Sequence, residues 1–148
     1  MNYLSNIVET DQKLCCETGS FPFVLHNCPK SVSLHSSGDV YEYCQSMMNF
    51  PKEIYRVLLI NDKNRLIHDE IIAIGTINSC SLYKKEVFRK AIEVNASGII
   101  VVSNHPSGDP YPSETETSIA DDLRNSGEAL GIPVIDNIII GFHCHAVI

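Results

Sequence analysis

The stretch GIIVVSNHPSGDPYPSETE, residues 98–116, decides the architecture of this chain. Its opening apolar run fits a strand buried on both faces. Ser103, Asn104 and His105 follow at once, then a turn-rich segment with Pro106, Gly108, Pro110 and Pro112, and then a helix start. A buried strand that feeds a polar loop and then a helix is half of a βαβ unit. Loops at that position in α/β proteins commonly carry binding or catalytic groups.

The pattern extends in both directions. Upstream, KKEVFRKAIEVN (84–95) repeats at helical period, with Phe88, Ala91, Ile92 and Asn95 on one stripe. IYRVLLI (54–60) and LIHDEIIAI (66–74), joined by NDKNR, read as a hairpin. DVYEYCQSMM (39–48) reads as a short helix after Ser and Gly punctuation. Downstream, residues 113–131 read as a helix with Ile119, Leu123, Gly127 and Leu130 at helical spacing and Gly131 at its C-terminal cap. IPVIDNIII (132–140) and the tail HCHAVI close the chain as strands. A helix followed by ββαβαββ predicts a layered α/β domain. Residues 1–30 are weakly patterned and are expected to form an N-terminal extension, leaving 31–148 as one domain.

Bulk properties narrow the function. A chain of 148 residues can bury one real core. The net charge of −7 argues against broad electrostatic binding of nucleic acid. The one basic cluster, Lys84, Lys85, Arg89 and Lys90, is interrupted by Glu86 and reads as a solvated helix face. Six cysteines without a C-x-x-C pair read as reduced thiols in a chain too core-rich to need a disulfide framework. No signal-peptide pattern occupies residues 1–10, and no apolar run reaches membrane length. The expectation is a cytoplasmic protein away from membranes.

Within the loop, Ser103 and His105 share a face if extended geometry continues past the strand. Ser113 and Glu116 have the S-x-x-E spacing of a helix capping box, which accounts for both without any further role. On local chemistry alone, His105 reads as a polar loop residue.

Three stretches together resemble the RadC family: IYRVLLINDKNRLI, IGTINSCSLYKKEVFRKAIEVNASGIIVVSNHPSGDPYPS and LGIPVIDNIIIG. That family belongs to the wider group of JAB/MPN (JAMM-type) metalloprotease-like domains. The similarity covers roughly residues 31–141, and NHPSGDP-x-PS is a specific signature. The family's N-terminal helix-hairpin-helix segment has no counterpart in these residues. The resemblance implies a mixed central sheet flanked by helices and a zinc-dependent metallopeptidase or isopeptidase chemistry, with a protein or peptide as substrate or partner. The family motif reads His-x-His, seven residues, Ser, two residues, Asp, with a Glu upstream just before a strand. Carried over, it makes Glu53 the general base, His105 a zinc ligand, and Ser113 an oxyanion-stabilising group.

Two ligand positions depart from that motif. Ser103 stands at the first histidine and Glu116 at the aspartate. A third departure is Asn137, where the family places His after the aspartate that is kept here as Asp136. Glu116 retains a carboxylate. The Ser103 hydroxyl is short and a poor zinc ligand. If a full zinc site is worth about 10–16 kcal/mol, one lost ligand forfeits on the order of 3 kcal/mol, roughly a hundredfold in affinity. The expectation is a degenerate centre with zinc weakly held or absent. Two further groups are candidates to repair it: the His143–His145 pair, and a Cys80–His105 couple. The competing readings are a JAB-type hydrolase, a catalytically inactive protein-binding module on the same fold, and a DNA-repair role that rests on the family's label alone.

Overall fold

A computed structural model describes residues 32–75 and 80–148, together with a two-residue pairing of β1 (Leu14–Cys15) with β2 (Pro22–Phe23). The side chains of 80–83 lie outside the described set, as does nearly all of the proposed N-terminal extension.

The expected order of elements is observed. Helix α1 (Ser37–Cys44) starts at Ser36, whose hydroxyl accepts from the Asp39 amide while the Asp39 carboxylate accepts from the Ser36 amide. This reciprocal cap satisfies two amides that the first turn leaves unpaired. The second half of the expected helix tightens into a 3-10 turn, Gln45–Asn49. Strands β3 (Ile54–Ile60) and β4 (Leu66–Ile74) form the antiparallel hairpin. Then come α2 (Cys80–Glu93), β5 (Gly98–Asn104), α3 (Glu114–Leu130), β6 (Val134–Gly141) and β7 (Cys144–Val147).

The five strands β3 to β7 make one mixed sheet in the order β4-β3-β5-β6-β7. β5 and β6 are the one parallel pair of neighbours in this sheet, joined by the helical crossover α3, while the α2 crossover brings β5 in on the far side of β3 from β4. Every residue of β5 is buried, as the unbroken apolar run requires. Alternate residues of β3 feed two cores. Tyr55, Val57 and Leu59 pack with Val87, Phe88 and Ala91 of α2 and Ile119 and Leu123 of α3. Ile54, Leu58 and Ile60 pack with Val40, Cys44 and Met47 on the α1 side. The domain is therefore three-layered, with the sheet between α2/α3 and α1.

Two helix stripes differ from expectation in detail. Ile92 is 58% exposed, and Asn95 is also on the surface, while Val87 is fully buried and takes their place. On α3, Leu130 is 52% exposed and Ala120 is buried instead. In both helices the buried face is turned by a fraction of the roughly 100° between successive residues, a choice set by the sheet that the helix meets rather than by its own period. Gly131 does cap α3 in the left-handed region, at φ 70°, with its amide donating to the Glu128 carbonyl.

Candidate metal centre

Strand register assembles the site. β3 runs antiparallel to β5 with Tyr55 opposite Ser103. Carrying that register two residues beyond the pair sets Glu53, just before β3, against His105, just after β5. Helix α3 begins beside them at the end of the proline loop. Ligand atoms of Glu53, His105 and Glu116 all lie within 4.8 Å of one another, and all three residues are half-buried. Among the described residues this is the one group of three or more metal-ligating side chains.

Each member is oriented by a separate device. Nδ1 of His105 sits 2.7 Å from the Asp109 carbonyl oxygen, four residues along the loop. A carbonyl only accepts, so Nδ1 carries the hydrogen and Nε2 faces Glu116 Oε1 at 2.7 Å. Anchoring one ring nitrogen on a backbone carbonyl is the usual way to direct the other at a metal. Glu116 is held by the cap of α3. Its Oε2 accepts from the Ser113 amide at 2.8 Å and from the Ser113 hydroxyl at 2.7 Å, and its own amide donates back to Ser113 Oγ at 3.2 Å. The Tyr55 hydroxyl donates to Glu53 Oε1 at 2.6 Å.

A fourth device was not anticipated. Asn104 is fully buried, and its side chain brackets Glu53. Its Oδ1 accepts from the Ile54 amide at 2.8 Å and its Nδ2 donates to the Lys52 carbonyl at 3.2 Å. One carboxamide thus ties the residues on both sides of Glu53 to the end of β5. The available clue was a carboxamide immediately after a fully apolar strand, where a polar side chain needs a dedicated partner.

The charges in this group reinforce one another. Burial by itself would lower the His105 pKa, but the Glu116 hydrogen bond, the Asp109 carbonyl and the nearby carboxylates hold it above the ordinary value. Burial by itself would raise the Glu116 pKa, but the bonds from Ser113 and His105 hold it below the ordinary value. In the metal-free protein a proton on Nε2 occupies the direction in which a cation would bind.

Of the remaining candidate residues, Ser103 is buried at 6% exposure and lines the same small cavity as Glu116 and Tyr55. Ser113 touches Glu116 rather than the open side of the site, and its single hydroxyl proton is engaged there. The His143–His145 pair does not join the centre. His143 occupies the turn at φ 55°, and His145 stacks on Tyr41 and meets Ser37 Oγ at 3.2 Å, on the α1 face of the sheet. The Cys80 thiol of the proposed Cys–His couple lies outside the described side chains.

The donor set fits a divalent cation: one imidazole with its far nitrogen anchored, and two carboxylates. The fold and the group together define a three-layered α/β domain with a candidate cation site between a strand end, a strand start and a helix N-terminus. A model of the RadC-like JAB domain matches residues 34–147, and the chain belongs to that family. Relatives include a UPF0758 protein of Thermotoga maritima, 42% identical over 72% of this chain and 48% of its own length. Another, from Rhodobacter capsulatus, is 44% identical over 68% of this chain and 47% of its own. A third, from Pseudoalteromonas translucida, is 37% identical over 80% of this chain and 54% of its own. The chain spans about half the length of the curated relatives it matches. Among the described residues no helix is long and apolar enough to cross a membrane.

Proposed function

We propose that this chain is a JAB-type hydrolase domain for peptide or isopeptide bonds whose metal centre is weakened at Ser103. The observation that carries the reading is the convergence of Glu53, His105 and Glu116 with His105 Nδ1 anchored on Asp109. His105 and Glu116 would hold the cation, with Glu53 beside it. A divalent cation supplies Lewis acidity and a more acidic water. The chain's own part is to position and to move a proton. Tyr55 occupies Glu53 Oε1, which leaves Oε2 as the basic atom that takes the proton from an attacking water. Ser113 can reach an oxyanion only after its bond to Glu116 opens.

Metal content of the freshly purified protein, measured beside Ser103→His, tests this reading. The expected result is substoichiometric zinc in the natural chain and a gain of roughly a hundredfold in affinity for the variant, the value of one restored ligand. Near-stoichiometric zinc in the natural chain would show that Ser103 does not weaken the centre. Glu53→Gln should abolish hydrolysis of a peptide substrate while His105 and Glu116 keep the metal. Zinc binding by neither protein supports the second reading, a protein-binding module, which Ser103 favours. The net charge of −7 weighs against a DNA-repair role, and absence of DNA binding at low salt would dispose of it.

A further inference from the structure

Asn137 on β6 is 5% exposed, and its side-chain nitrogen is the one buried side-chain polar atom among the described residues with no hydrogen-bond partner. Leaving a buried amide donor unpaired costs about 1–3 kcal/mol. Native proteins normally satisfy such a donor with an ordered water when no protein group reaches it.

The space beside Asn137 has the character of a water site. A cavity of about 20 Å³ is lined by Asn137, Ser103, Tyr55 and Glu116 among apolar neighbours such as Ile119 and Ile139. One water requires roughly 10–15 Å³ by the same measure and two to four polar partners. Asn137 and Ser103 both line it, both are buried residues, and no hydrogen bond joins their side chains. β5 and β6 are parallel here, with Val101 opposite Asn137 and Ser103 opposite Ile139, so the two polar side chains point to the same, α3-facing side. The cavity meets the candidate metal centre twice. Glu116 is on its wall, and so is Tyr55, whose hydroxyl holds Glu53.

We propose that this cavity seats one water molecule, held by Asn137 Nδ2 and Ser103 Oγ, whose oxygen would serve a cation held by the Glu53–His105–Glu116 group in place of the side chain that Ser103 is too short to supply. The inference rests on the metal reading above and assigns Asn137 a positioning role in it. Water is an ordinary ligand of zinc and of harder divalent cations, so it replaces the missing donor at reduced strength. The replacement of one ligand side chain by a hydroxyl and the presence of an unpaired amide behind it then have a single physical cause.

Zinc titration by calorimetry of four proteins tests the idea: the natural chain, Asn137→Leu, Ser103→His and the double variant. In the natural background Asn137→Leu should weaken zinc about tenfold, the value of one well-made hydrogen bond to the water. In the Ser103→His background, where an imidazole displaces the water, Asn137→Leu should change affinity by less than about twofold. Equal losses in both backgrounds, or no loss in either, overturn the seated water and leave the metal centre standing. No zinc affinity in the natural chain or in Ser103→His overturns the metal centre and this inference with it. An independent reading comes from the metal-free natural chain by NMR. The Asn137 side-chain amide should show magnetisation transfer from a long-lived water, and a dry amide overturns the proposal even if the Leu variant fails to fold.

Discussion

Nε2 of His105 lies 2.7 Å from Oε1 of Glu116, while Nδ1 of the same ring is fixed by the Asp109 carbonyl. Nε2 therefore has two uses, a proton shared with Glu116 or a lone pair directed at a cation, and the two compete. Below the His105 pKa, binding a metal releases one proton, so zinc affinity should rise about tenfold per pH unit and level off above it. Because the His105 pKa is held above 6.5, the rise should continue past that pH. Calorimetry in buffers of different ionisation enthalpy counts the proton. An affinity that stays flat between about pH 5.5 and 7.5 would remove His105 from the site.

The same pair makes the metal-free protein's stability depend on pH. His105 has a raised pKa, so its contribution is complete below the ordinary value of 6.5 and fades as pH climbs through its folded value. Glu116 has a lowered pKa, so its contribution is complete above the ordinary value of 4.5 and fades as pH drops through its folded value. Both are present together between 4.5 and 6.5. Urea unfolding of the natural chain and His105→Ala should show their largest difference in that window. A difference that is constant from acid to alkaline pH would mean the two side chains are not coupled.

Asn104→Ala removes the bracket around Glu53. The Ile54 amide loses a buried acceptor and the Lys52 carbonyl loses a donor, so stability should fall by about 1–3 kcal/mol. Metal affinity or hydrolysis should fall further than stability alone explains, because Glu53 is then free to move. If denaturant midpoints shift and the site's properties do not, Asn104 is a structural residue only.

Ser113→Ala deletes the hydroxyl side of the α3 cap. The expected cost is about 1 kcal/mol, read as a lowered thermal midpoint. Glu116 keeps the bond from the Ser113 amide, so Ser113→Thr, which retains a hydroxyl, should restore both stability and the Glu116 position. A melt indistinguishable from the natural chain would show that the cap is not formed in solution.

Gly141 holds the site loop against β6 by being small. A Cβ placed there would meet the Gly108 carbonyl oxygen at 2.4 Å and Pro110 at 3.0 Å. The neighbouring Phe142 amide already donates to that same carbonyl at 2.9 Å. Gly141→Ala should therefore cost about 1–3 kcal/mol through overpacking, and should weaken metal binding by pushing on the loop that carries Asp109. Unchanged stability would mean that the loop has room to retreat.

Much of the fold was legible because each element carries its own local signal. The apolar run 98–102 could only be an inner strand, and Ser113 with Glu116 announced the start of α3 two ways at once, as spacing and as chemistry. The helix faces were less legible. Period alone cannot distinguish Val87 from Ile92 as the residue that meets the sheet, since Val87 neighbours Ala91 and Ile92 neighbours Phe88 on opposite edges of the stripe, and the choice belongs to the sheet's position.

For the site, the sequence by itself determined the residue types: a glutamate before β3, a histidine after β5, and a carboxylate on the first turn of α3, with a serine where a further imidazole would complete the motif. Only the tertiary structure decided which of these meet. Glu53 and His105 are 52 positions apart and come together because β3 and β5 pair antiparallel in one particular register. That register is set by which faces of the strands must be buried, a property of the whole sheet. The same long-range pairing turned His145 towards α1, made Asn104 a clamp, and left the Asn137 amide facing Ser103's cavity. None of these could be read locally, because a side chain's partner across a sheet depends on strand order, and strand order is written in no single stretch of the chain.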